Sequence, residues 1–94
     1  MKSKDVINIF NALSQETRLK IFLFMVKNSE KGVCPCKIAE KLKIPRNTLS
    51  FHLALLTRAN LCTFVKEGKN LIYKPNCAEI KNVMDYLQKD CISC

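Results

Sequence analysis

The sequence predicts a mainly α domain with one small β-hairpin near its C-terminal end. Apolar residues recur at three- and four-residue spacing along most of the chain, the signature of amphipathic helices. Two short runs, Leu61 to Val65 and Leu71 to Lys74, flank a turn at 66–70 that contains Gly68, which reads as a hairpin. Length sets the scale: 94 residues make one domain, 1–94, with a thin core, because so short a chain buries only about 60–65% of its unfolded surface.

The first helix is expected over 5–13, with Val6, Ile9, Phe10 and Leu13 on one side. It is too short to stand alone and must pack on something. Ser14 is the expected N-cap of the next helix, and Glu16 suits its positive end. Leu19, Phe22, Leu23 and Val26 repeat at helical spacing and predict the most buried element, closed by the polar turn 28–32. A third helix is expected over 33–42, with Pro35 in its first turn, where a missing N–H costs nothing. Ile38, Ala39 and Leu42 face inward. Three residues, 43–45, join it to a helix over most of 45–61, whose Leu49, Leu53 and Leu56 form an apolar stripe. Asn60 suits the left-handed position that ends it.

Two helices joined so tightly, the second opening on a polar turn, make a helix-turn-helix. Arg46 and Asn47 can both hydrogen-bond base edges. The hairpin that follows, with Lys66 and Lys69 at its tip, is a wing able to lie against phosphate. A last helix from Cys77 to Lys89 carries Ile80, Val83, Met84 and Leu87 at helical spacing. So small a domain leaves that stripe little to cover. We expect 5–13 and 77–90 to form the dimer interface of a homodimeric winged helix-turn-helix.

Charge agrees with a polyanionic partner. Lys and Arg number 16 against 8 Asp and Glu, a formal +8. No apolar run of 18 residues exists to span a membrane, and the N-terminus is not a secretory signal, so a cytoplasmic protein is expected. No phosphate-cradling glycine loop, paired carboxylates or nucleophilic triad is present, and His52 is the single histidine, so an enzyme is not expected.

Six cysteines need their own account. Without an export signal they are expected as reduced thiols rather than structural disulfides. Cys34 and Cys36 form one pair, directly before the helix-turn-helix; Cys91 and Cys94 form a Cys-x-x-Cys pair at the end of the chain. Thiolates favour soft ions, so As(III), Cd(II), Zn(II) and Cu(I) are the candidate ligands. As(III) takes three sulfurs and Cd(II) or Zn(II) four, so either pair needs a further thiol, in cis or across a dimer. The competing reading is a reversible disulfide. Cys62 and Cys77 are expected as small buried hydrophobes.

The stretch Ala12-Leu13-Ser14-Gln15-Glu16-Thr17-Arg18-Leu19-Lys20-Ile21 resembles the opening signature of the ArsR/SmtB family of winged-helix repressors. Asn47-Thr48-Leu49-Ser50-Phe51-His52-Leu53, with Leu56, Ala59 and Leu61, resembles the family's recognition helix, and Gly68-Lys69-Asn70-Leu71-Ile72-Tyr73 its wing. The resemblance covers residues 6–90. It implies a homodimer that represses an operon by binding double-stranded operator DNA and lets go when a metal or oxidant binds. It also implies that Asn47, Thr48 and Ser50 face bases or phosphates, with His52 at the helix–DNA boundary. Cys34-Pro35-Cys36 resembles the Cys-Val-Cys motif of arsenic and cadmium sensors, although residues 37–39 add no thiol and residues 1–33 hold none. Asp90-Cys91 with Cys94 looks like a trimmed form of the terminal thiol site of another arsenic-sensing branch. Residues 77–94 hold no His, unlike the zinc and nickel sites on the family's last helix. As(III) is therefore the expected inducer, and a thiol-redox repressor of the same fold the alternative.

Overall fold

A computed structural model describes residues 1–93. The order is α1 (Ser3–Leu13), α2 (Glu16–Lys27), α3 (Pro35–Leu42), α4 (Arg46–Arg58), β1 (Cys62–Glu67), β2 (Asn70–Pro75) and α5 (Cys77–Ser93). This is the expected winged helix-turn-helix, and the differences from expectation lie in how its parts are held.

α1 and α2 meet at a corner. The Ser14 hydroxyl donates to the Asn11 carbonyl and closes α1, while Gln15 Oε1 accepts from the Arg18 backbone N–H at 2.9 Å and caps α2. The longer Gln15 side chain thus takes the role expected of Ser14. The buried side of α2 is Ile21, Phe22 and Met25; Leu19 and Leu23 are exposed, contrary to expectation. With apolar residues on nearly every face, periodicity could not choose the stripe. In α1 Val6, Ile9 and Ala12 are buried, but Phe10 is half exposed.

α3 starts at Pro35, two residues later than expected. Val33 instead joins the hairpin, donating to the Tyr73 carbonyl at 2.9 Å and accepting from its N–H at 2.8 Å. Gly32 makes this approach possible. Its φ is +79°, and a Cβ there would lie 2.5 Å from Ile72 Cγ2. Lys43, in the left-handed region at φ 56°, turns the chain from α3 into α4. Ile38, Leu49 and Leu56 are fully buried, and Ala39, Leu42 and Ile44 pack against them. Asn60 takes φ 63°, the left-handed position expected after α4.

β1 and β2 pair antiparallel from Cys62↔Pro75 to Glu67↔Asn70. The turn is therefore two residues, Gly68 and Lys69, not five, and Lys66 lies within β1. Gly68 takes the positive φ (60°) that a two-residue hairpin loop demands at its first position. α5 continues through Ser93, so Cys91 is helical rather than in a loose tail. Val83 is buried from that helix and Ile80 half-buried, while Met84 and Leu87 are exposed. Cys77 is exposed, not buried as expected. No helix among the described residues is long and apolar enough to cross a membrane.

Candidate nucleic-acid interface and thiol pair

α4 is seated by its apolar stripe. With Leu49, His52, Leu53 and Leu56 turned inward, the opposite face is Arg46, Asn47, Ser50, Phe51, Ala54 and Arg58, all exposed. Pro45 offers no capping side chain, so Asn47 Oδ1 accepts from the Thr48 N–H at 2.9 Å and satisfies one first-turn donor. That leaves the Asn47 amide NH2 to donate outward. Arg46, Ser50 and Arg58 border a groove of about 570 Å³ whose other wall is Phe64, Leu71 and Tyr73 of the hairpin. The Phe64 and Tyr73 rings stack across the strands at 5.1 Å and stiffen that wall. Lys66 and Lys69 are exposed farther along the wing.

Phe51, Ala54 and Arg58 were absent from the expected reading set. The signal was available: each lies one or two turns beyond Asn47 or Ser50 on the same face. Phe51 is 61% exposed on that face.

His52 departs from its expected place at the DNA boundary. It is 7% exposed, its Nδ1 lies 3.3 Å from Arg18 Nη1, and its ring meets Phe51 edge-on. Two residues after Ser50, it has rotated onto the buried side of α4. Burial pushes its pKa down, and the Arg18 guanidinium pushes it further the same way. The neutral ring accepts from Arg18, whose Nε also donates to the Ala12 carbonyl at 2.8 Å. Arg18 therefore ties the end of α1 to the underside of α4.

The structure brings together one of the two expected thiol pairs. Cys34 is the N-cap of α3, and its Sγ lies 2.8 Å from Cys36 Sγ. The Cys36 S–H bond holds the Cys34 thiol below its ordinary value, with the backbone N–H groups of the helix start assisting. The same bond pushes Cys36 up, joined by desolvation and the Cys34 charge. Arg46, the first residue of α4, exerts a small opposing pull on Cys36. Cys91 is exposed on α5, and Cys94 lies outside the described residues. Among the described residues, no three of His, Cys, Asp and Glu converge as a ligand set. Cys62 is buried against Thr57 Oγ1 at 3.3 Å, and burial pushes its thiol up, so it is an inert core group as expected.

A helix-turn-helix domain family model matches residues 13–63. The chain is 31% identical over 98 residues to an HTH-type transcriptional regulator of Bacillus subtilis, covering 92% of this chain and 98% of that one. An ArsR-like transcriptional regulator from Rhodococcus sp. RHA1 superposes with a TM-score of 0.87 over 97% of this chain and 83% of its own, at 24% identity. The chain belongs to the ArsR/SmtB family. ArsR/SmtB proteins are DNA-binding transcriptional regulators, not enzymes. A further relative is a homolog of the cadmium resistance regulatory protein CadC from Staphylococcus aureus, 33% identical over 81 residues. That match covers 86% of this chain and 65% of the relative's length.

Proposed function

We propose that this ArsR/SmtB regulator is a homodimeric repressor that binds operator DNA through α4 and the wing, and releases it when a thiophilic ion is taken up. As(III) is the first candidate ion, with Cd(II), Zn(II) or Cu(I) as alternatives. The observation that carries the reading is the Cys34–Cys36 pair, 2.8 Å apart, beside the helix that begins with Arg46. Two thiols held this close are a ready half-site for a soft ion. As(III) needs a third sulfur, and Cys91 or Cys94 of either subunit would supply it. The cadmium regulator among the relatives supports a metal-ion inducer.

The chain's own geometry supports a link from the thiols to DNA. Cys34 caps α3 and follows Val33, which is bonded to the wing through Tyr73. Cys36 lies within reach of the Arg46 charge. A rearrangement of this pair therefore strains the start of α3, the wing and the first residue of α4 together. Such coupling is typically about 1–3 kcal/mol and reciprocal, so DNA should weaken ion binding by the same factor.

Dimerisation draws support from the apolar side chains left outside the core: Ile7 and Phe10 on α1, Met84 and Leu87 on α5, each between 43% and 57% exposed.

The test is an anaerobic titration of the reduced protein with arsenite, followed by thiolate–arsenic absorbance, native mass and anisotropy of labelled DNA from the regulator's own upstream region. One As(III) per subunit, with three free thiols lost and DNA released, is the expected result. Cys34→Ser and Cys36→Ser should keep DNA affinity and lose release, and Cys91→Ser should blunt it. Full release in both Cys34→Ser and Cys36→Ser would overturn the assignment.

A further inference from the structure

A small cavity of about 260 Å³ lies between α1, the start of α2 and the last turns of α4. Its polar lining consists of Asn8, Asn11, Arg18 and Arg58, and Leu55 contributes to its floor. Two arginines and two asparagines line it beside Ala12, Leu55 and Ala59, and no carboxylate does. Arg18 is half-buried, and its hydrogen bonds go to neutral acceptors, the Ala12 carbonyl and His52 Nδ1. Among the described residues the one ion pair is Glu16–Lys20, so neither arginine has a carboxylate partner. A half-buried guanidinium with no counter-charge, on a cavity that a second arginine also lines, is a place where an anion is favoured.

We propose that this cavity binds a small oxyanion of the phosphate or carboxylate class. The arginines supply planar donor forks that match such oxygens, and the asparagine amides add neutral donors. The volume lies just below the range of drug-sized pockets, so the ligand is a simple anion or a short organic acid rather than a nucleotide. A neighbouring hollow of about 790 Å³ shares Asn8 and Arg58 but carries Asp5, Glu79 and Asp85. Those carboxylates disfavour any anion on that side, and most of all a long polyanion that would have to run past all three. On α1, Asn11 lies one turn from Ile7, so the cavity adjoins the apolar face proposed for the dimer. The site does not depend on the thiol pair. It does reach α4: the guanidinium that faces the ligand is the one that holds His52 from below.

Arg58 also borders the groove between α4 and the wing, so the oxyanion has two possible sources, a free anion or a DNA phosphate. The test separates them. The full-length reduced protein is titrated with inorganic phosphate against chloride at constant ionic strength, followed by amide and side-chain NMR and by thermal melting. Expected are saturable shifts at Asn8, Asn11, Arg18 and the His52 ring with one common Kd. At about fourfold excess over that Kd, Tm should rise by about 5 °C. Arg58→Gln, at an exposed position, should weaken phosphate binding about tenfold or more while the protein stays folded. Repeating the titration on the DNA complex should leave the Kd unchanged. Non-saturable shifts spread over the basic surface, or equal binding by Arg58→Gln, would overturn the site. So would competitive loss of phosphate binding on adding DNA, which would assign these donors to the nucleic acid instead.

Discussion

The α3–α4 unit and the α1–α5 pair are built on opposite terms. In the first, each apolar stripe finds its cover within the chain: Ile38, Leu49 and Leu56 are fully buried, and the outward side is polar apart from Phe51 and Ala54. In the second, Ile9 and Val83 reach the core, but Ile7, Phe10, Met84 and Leu87 are left facing out. The molecule measures 49 × 23 × 20 Å, long for 94 residues. One region, the proposed reading head, is closed on itself. The other leaves the apolar surface that the proposed dimer would cover.

The largest expected effect sharpens that contrast. Leu49→Ala removes a fully buried side chain from the reading head and should cost about 2–5 kcal/mol, read as a lower urea midpoint at unchanged slope. Met84→Ala, at a 55% exposed position, should leave the monomer's intrinsic stability within about 0.5 kcal/mol. A large loss in both variants at high dilution, where any dimer has dissociated, would break the distinction.

Second comes the interface itself. Phe10→Glu should abolish the dependence of Tm on protein concentration and give a monomer in sedimentation, because a charge would then sit in the apolar contact. A dimer that survives Phe10→Glu and Met84→Glu together would move the interface elsewhere.

This contrast also explains what could be read in advance. α3, α4 and the hairpin were legible because local signals agreed: Pro35 at a helix start, one clear leucine stripe in α4, Asn60 at a left-handed stop, and a glycine turn between β-branched runs. α2 was legible as a helix but not in orientation. Leu19 and Leu23 have the same chemistry as Ile21 and Met25, and only tertiary packing chose between them. Val33 could not be recognised as a third strand-like partner of the wing, since one residue has no period and its pairing depends on Gly32 approaching Ile72. Ser14 lost the cap to Gln15, because the residue one place later reached the open N–H of Arg18. The expected readers Arg46, Asn47, Thr48 and Ser50 are all exposed, and Phe51, Ala54 and Arg58 extend the same exposed face by a further turn or two. His52 was placed at the helix–DNA boundary by the family resemblance, and only the fold shows it packed and bonded to Arg18 instead.

Third, the outward side of α4 should divide by kind of contact. Asn47→Ala should cost about 1–3 kcal/mol of binding and relax preference at its own base pair, whereas Lys69→Ala should weaken binding to all sequences and lower the salt slope by about 1. Anisotropy titrations at several salt concentrations separate the two. Equal behaviour of both variants would mean that α4 positions the protein rather than reads sequence.

The smallest expected effect lies at the seam between the two regions. His52 on α4 accepts from Arg18, which holds the end of α1, and the pair works only with a neutral ring. Because burial and then the Arg18 charge depress its folded pKa below the ordinary 6.5, the unfolded chain takes up a proton first as pH falls. The seam is therefore intact above about pH 6.5 and loses stability as pH drops through the depressed value. His52→Gln keeps a hydrogen-bond acceptor for Arg18 and removes the titration. Its urea midpoint should fall less than the parent's between pH 7.5 and 5.5, and the difference between the two proteins isolates this one group from the carboxylates that titrate lower. Parallel slopes would mean that the Arg18–His52 contact does not hold α1 to the reading head, and that the two regions are joined by apolar packing alone.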